Sequence, residues 1–91
     1  MGSKRRVKIE IIYDMLRSIQ VKGGSIKPTH LLYKSNLSHT KMKEYVLELM
    51  QKDMLQETQR QDKRVYVITD KGLQFLTEYQ RVKAFSDSFG L

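Results

Sequence analysis

The sequence predicts a mainly α-helical (α+β) domain: one helix, then two helices joined by a tight turn, a two-stranded hairpin, and a long closing helix. Three observations predict it. Apolar residues recur at helical spacing in the first half of the chain and again after Thr69. Two short strand-like runs flank the polar connector Gln61-Asp62-Lys63-Arg64. The capping and turn residues Gly23-Gly24, Asn36, Ser38 and Thr69 fall between the periodic stretches rather than inside them.

In residues 7–21, Ile12, Met15, Leu16 and Ile19 form a helical stripe that Ile9 and Ile11 widen. Gly23-Gly24 ends this helix, because glycine takes the left-handed terminal conformation without steric cost. Ser25-Ile26-Lys27 is long enough only for a bridging strand. Pro28, the only proline, suits the first turn of a second helix over 28–35, where its missing N–H costs nothing. Asn36 stops that helix, Leu37 packs inward across the turn, and Ser38 caps a third helix.

The third helix is the clearest. Met42, Tyr45, Val46, Leu49 and Met50 make one core-facing stripe that ends near Lys52-Asp53. Residues 55–60 and 65–68 read as strands joined by the four-residue connector 61–64. Thr69 caps the last helix and Asp70 complements its dipole. That helix extends to about Phe89, about 30 Å at ~1.5 Å per residue. Leu73 and Leu76 join the core. Phe75, Tyr79, Val82 and Phe89 follow a coiled-coil-like seam that so small a domain leaves partly bare.

A tight turn, Asn36-Leu37-Ser38, between two helices and a hairpin directly after the second of them define a winged helix-turn-helix. The expected division is 1–69 as a nucleic-acid-binding unit with a basic arm over 1–6, and 70–91 as a dimerisation helix packed partly on it. A formal charge of +7 on 91 residues favours a polyanionic partner.

Other classes fit the composition poorly. With no cysteine there is no disulfide, thiolate metal site or cysteine nucleophile, which suits a reducing, cytoplasmic setting. The two histidines, His30 and His39, fall on different elements and assemble no zinc ligand set. Carboxylates are scattered singly, and Gly23-Gly24 lacks the pattern of a phosphate-binding loop. Neither catalysis, a cofactor nor a small-molecule substrate is expected. No apolar run reaches the ~18–20 residues of a membrane span, and Glu10 and Asp14 interrupt the only stretch that a basic start could make a signal peptide.

The run Leu32-Tyr33-Lys34-Ser35-Asn36-Leu37-Ser38, with Lys43, Tyr45 and Leu49 after it, resembles the turn and third helix of archaeal winged-helix chromatin proteins of the Sulfolobus "ten-a" type. Tyr66-Val67-Ile68-Thr69-Asp70-Lys71-Gly72 is similar to that family's wing strand and its cap into the last helix. The resemblance spans about residues 9–82. It implies a non-catalytic, nucleoid-associated protein that dimerises through its last helix. Two departures stand out: Asp53 occupies a position where the family often has glycine, and the last helix stops earlier, at Gly90-Leu91.

In helix-turn-helix docking the third helix enters the major groove of double-stranded DNA. That places His39, Thr40, Lys41 and Lys43 at the groove, with Ser38 a cap whose neighbouring N–H groups suit a phosphate. Arg60, Lys63 and Arg64 on the wing suit phosphates or a minor groove. Lys4, Arg5, Arg6 and Lys8 form an arm along the backbone, while Lys27 and Lys34 flank the second helix. Glu44 and Glu48 lie near the exposed side of the third helix, which carries no arginine, so the expected base preference is weak. Phe75, Tyr79, Val82, Phe85 and Phe89 form the expected homodimer face. A sequence-specific regulator, and a protein-docking module using that same face, are the alternatives.

Overall fold

The computed structural model describes residues 6–91, so Lys4 and Arg5 of the expected arm lie outside the described residues. Its elements are α1 (Lys8–Val21), β1 (Ser25–Ile26), α2 (Pro28–Ser35), α3 (His39–Gln51), β2 (Leu55–Arg60), β3 (Lys63–Ile68) and α4 (Asp70–Ser88). The strands form one antiparallel sheet in the order β1-β3-β2. This is the winged helix fold, with β2 and β3 as the wing and α4 as the long closing helix.

Local chemistry sets the boundaries. Pro28 opens α2 and Asn36 closes it in the left-handed conformation, φ 57°. The Ser38 hydroxyl accepts from Lys41 N at 3.2 Å to start α3. Asp53 takes φ 61° at the end of α3 and does there what a glycine does more cheaply. Its carbonyl accepts from the Thr69 hydroxyl at 2.6 Å, and Thr69 Oγ1 in turn accepts from Gly72 N at 3.1 Å. One threonine thus ties the end of α3 to the start of α4.

The wing corrects the expected four-residue connector. β2 and β3 stay in register from Leu55 opposite Ile68 to Arg60 opposite Lys63, so only Gln61 and Asp62 turn the chain. Both have positive φ, 52° and 62°, as a two-residue hairpin turn matched to strand twist requires. Lys63 and Arg64 are therefore strand residues, and strand alternation sends their side chains to opposite faces.

The core gathers Met15, Leu16 and Ile19 of α1, Leu31 of α2, and Met42, Val46 and Leu49 of α3 over Leu55, Tyr66, Ile68 and Leu76. Tyr45, Met50 and Leu73 pack against its edge, as their periodicity predicts, and Leu37 does so from the turn. Ile9 departs from that pattern. It sits in the first turn of α1, beyond the reach of the core, and is exposed.

The expected dimer face splits in two. Phe75 and Tyr79 are half-buried on their own chain, the Tyr79 ring stacking on Tyr13 with centroids 4.4 Å apart. Gln80 Nε2 donates to the Tyr13 hydroxyl at 3.0 Å beside it. Val82, Phe85 and Phe89 stay bare at 65%, 66% and 67% exposure. Only the outer half of the seam is left without apolar cover.

Candidate nucleic-acid interface

The periodicity that buries Met42, Val46 and Leu49 turns Thr40, Lys43, Glu44, Leu47 and Gln51 outward on the opposite side of α3. Ser38 heads this face. Its carbonyl takes Met42 N at 2.9 Å and its hydroxyl takes Lys41 N. The remaining first-turn N–H groups, those of His39 and Thr40, have no helical acceptor. His39 is exposed at the first helical position.

The two carboxylates expected beside this face differ. Glu44 stays on it, held by Lys41 at 3.4 Å. Glu48 is drawn aside to Lys8 of α1 at 2.7 Å. The hydrogen bond from Lys8 holds the Glu48 carboxyl below the usual carboxylate range, and the hydrogen bond to Glu48 raises the Lys8 ammonium. Lys8 is thus a strut between α1 and α3 rather than part of an arm. Because the folded-state pKa of Glu48 is depressed, this pair stabilises above the unfolded-state value and is lost as pH falls through the lowered one. Glu48→Gln therefore lowers the melting temperature slightly near neutrality, and the difference from the parent closes in acid, as melts across pH will show. An equal difference at both ends of that range contradicts the pairing.

On the wing, Arg60 is folded back across the sheet, donating to the Ser25 hydroxyl at 3.2 Å. Arg64 lies 3.9 Å from Glu57 and 6.0 Å from the centroid of the Tyr66 ring. Lys63, next to the turn, has no ion-pair partner among the described residues, and neither has Lys43 or Lys27. The three wing cations do not form the single loop cluster that a longer connector would have made. Lys63 and Arg60 face each other across the strands, and Arg64 belongs to the other face.

Arg6 is engaged within the fold. Its guanidinium bonds Asp14 Oδ2 and the Ser35 carbonyl, both at 3.0 Å, clasping the start of the described chain to α1 and to the end of α2. Lys27 is exposed at the N-cap position of α2, and Lys34 is exposed in its last turn. Between them the His30 imidazole titrates lower than usual, through partial desolvation first and then the charges of Lys22, Lys34 and Lys27.

The structure thus brings the Ser38 cap and His39, Thr40, Lys41 and Lys43 together at the start of α3, and leaves Lys63 at the wing tip without an ion-pair partner among the described residues. It holds Arg6 and Arg60 by intramolecular hydrogen bonds, and Arg64 lies in a loose ion pair with Glu57. Sequence reasoning passed over Leu47, 55% exposed on the outward face of α3. Its signal was available: it follows Val46 by one helical step, which carries it about 100° away from the core stripe.

A winged helix-turn-helix family model matches residues 5–86 of the sequence. The chain belongs to that family. Among curated proteins none matches the sequence significantly. Among solved structures, this winged helix-turn-helix protein is similar to Sso10a-2, a DNA-binding protein from Sulfolobus solfataricus, at TM-score 0.77 and 21% identity over 92% of this chain and 85% of that one. It is also similar to F93 from STIV, a winged-helix DNA-binding protein, at TM-score 0.73 and 18% identity over 90% of this chain and 92% of that one. A third similar structure is Sco5413, a MarR family transcriptional regulator from Streptomyces coelicolor, at TM-score 0.75 and 18% identity over 84% of this chain and 54% of that one. Identities this low show a shared fold.

Proposed function

We propose that this winged helix-turn-helix protein is a non-catalytic, nucleoid-associated binder of double-stranded DNA with low sequence specificity. The observation that carries the reading is the exposed, Ser38-capped face of α3 with Thr40 and Lys43, beside a hairpin wing tipped by Lys63. Two structurally similar proteins are described as DNA-binding, which agrees with it. Lys27 and Lys34 extend the contact toward the flanking phosphates, Lys4 and Arg5 follow the backbone, and Arg60 and Arg64 exchange their present partners for phosphates. Without an arginine on α3, backbone contact outweighs base reading. A gel-shift titration with two unrelated duplexes tests this: comparable affinities support it, and no shift with either sinks it. The likeness to a MarR family regulator favours a second reading, a regulator with one operator, which footprinting would reveal as a discrete palindromic protection.

The protein acts as a homodimer in this reading, residues 70–91 supplying the contact while the start of α4 also completes the core of residues 1–69. The bare outer seam of Val82, Phe85 and Phe89, continued by the partly covered Phe75 and Tyr79, is the surface that a second copy buries. Sedimentation velocity at micromolar concentration will then give a dimer for the parent and a folded monomer for Val82→Glu combined with Phe89→Glu. A parent that sediments as a monomer contradicts the dimer.

A further inference from the structure

The middle of the outward face of α3 is occupied by Glu44 and Leu47, with Lys43 and Gln51 at its margins. That distribution is wrong for a helix lying only against phosphates. Even paired with Lys41 at 3.4 Å, a carboxylate there adds no attraction to phosphates, and a leucine gains nothing. It suits a helix whose centre meets base edges, where the major groove offers amino groups to a carboxylate and, at each A·T pair, one apolar methyl group. Leu47 is the apolar side chain of this stripe and is 55% exposed. Glu48, one residue on, is held away by Lys8 at 2.7 Å, so no second carboxylate crowds the leucine.

Resting on the DNA-binding reading above, we infer that Leu47 recognises the C5-methyl group of thymine in the major groove and biases this otherwise backbone-dominated binder toward thymine-containing DNA. The contact is apolar and undirected, so it tolerates sliding and changes of register. It supplies a graded preference and no fixed operator. Each methyl buried against the side chain favours binding about fourfold.

Two pairs of duplexes test the inference. The first pair is an A·T-rich duplex and the same duplex with uracil at every thymine, which removes the methyl group and keeps the pairing edge. The second is a G·C-rich duplex with cytosine or with 5-methylcytosine throughout, which adds a methyl group at the corresponding place in the groove. Uniform substitution makes the result independent of register. Fluorescence anisotropy is expected to show about fourfold tighter binding, for each Leu47 engaged, to the methyl-bearing member of each pair for the parent. Leu47→Ala, at an exposed site, is expected to keep its circular dichroism and melting temperature and to bind both members of each pair equally. Equal binding of both members by the parent overturns the inference and leaves DNA binding standing. Retention of the preference in Leu47→Ala overturns it too, as does a change in sedimentation with no change in the methyl preference, which would make Leu47 a self-association contact. Failure of the parent to bind any of the four duplexes overturns the DNA-binding reading itself.

Discussion

Raising salt from about 50 to about 200 mM is expected to weaken duplex binding between about 250-fold and about 16,000-fold. The size of the effect comes from counterion release: each phosphate neutralised frees most of one condensed cation, and about 5–8 such contacts per binding unit give a slope of log K against log salt of roughly −4 to −7. The cations are of two kinds. Lys27, Lys43 and Lys63 have no ion-pair partner among the described residues and, in the proposed complex, would meet phosphates without giving one up. Lys41 and Arg64 must leave Glu44 and Glu57, at 3.4 and 3.9 Å, so each contributes less. Lys43→Ala with Lys63→Ala should flatten the slope by about 2, one for each lysine. A salt response near zero in the parent would mean that the affinity has another source.

Gly72→Ala destabilises the fold by about 1–3 kcal/mol, a large part of the total on the order of 5–15 kcal/mol for a domain of this kind. Elsewhere in a helix the change would help, because alanine loses less backbone entropy on folding. Here the added methyl would lie 2.5 Å from the Met54 carbonyl oxygen and 2.7 Å from Ile68 Cγ1. The helix cannot easily back away. Gly72 N donates to Thr69 Oγ1, Thr69 N donates to the same Met54 carbonyl at 3.2 Å, and the Thr69 hydroxyl bonds Asp53. Retreat breaks the cap and compliance compresses a backbone oxygen. Thermal and urea melts read the loss, expected as a drop of roughly 5–20 °C in Tm. A variant as stable as the parent would show that the start of α4 is not fixed in this way.

Much of the fold was legible because its boundaries rest on local chemistry. Pro28, Asn36, Ser38 and the Thr69 cap on Gly72 act through bonds or dihedrals within a few residues of themselves, so the bounds of α2 follow from the letters alone. The wing turn was misjudged by two residues because Lys63 and Arg64 look like loop residues; pairing with Arg60 and Gln59 makes them strand.

The candidate site was legible in its placement and much less so in its partnerships. Which helix carries Lys43 follows from periodicity. That Arg6 spends its guanidinium on the carbonyl of Ser35, 29 residues away, does not. Nor do the strut from Lys8 to Glu48 or the fold-back of Arg60 onto Ser25 follow from any local pattern. These long-range bonds decide which cations are held and which stand ready. The seam on α4 shows the same limit, since only packing reveals that Tyr13 already covers part of Tyr79.

Backbone amide shifts recorded while a short duplex is titrated into the protein at low salt test the interface directly. The largest changes should fall on residues 38–47 and 60–64, with smaller ones near Lys27. Changes confined to α4, with α3 and the wing unmoved, would contradict the assignment of this face to DNA.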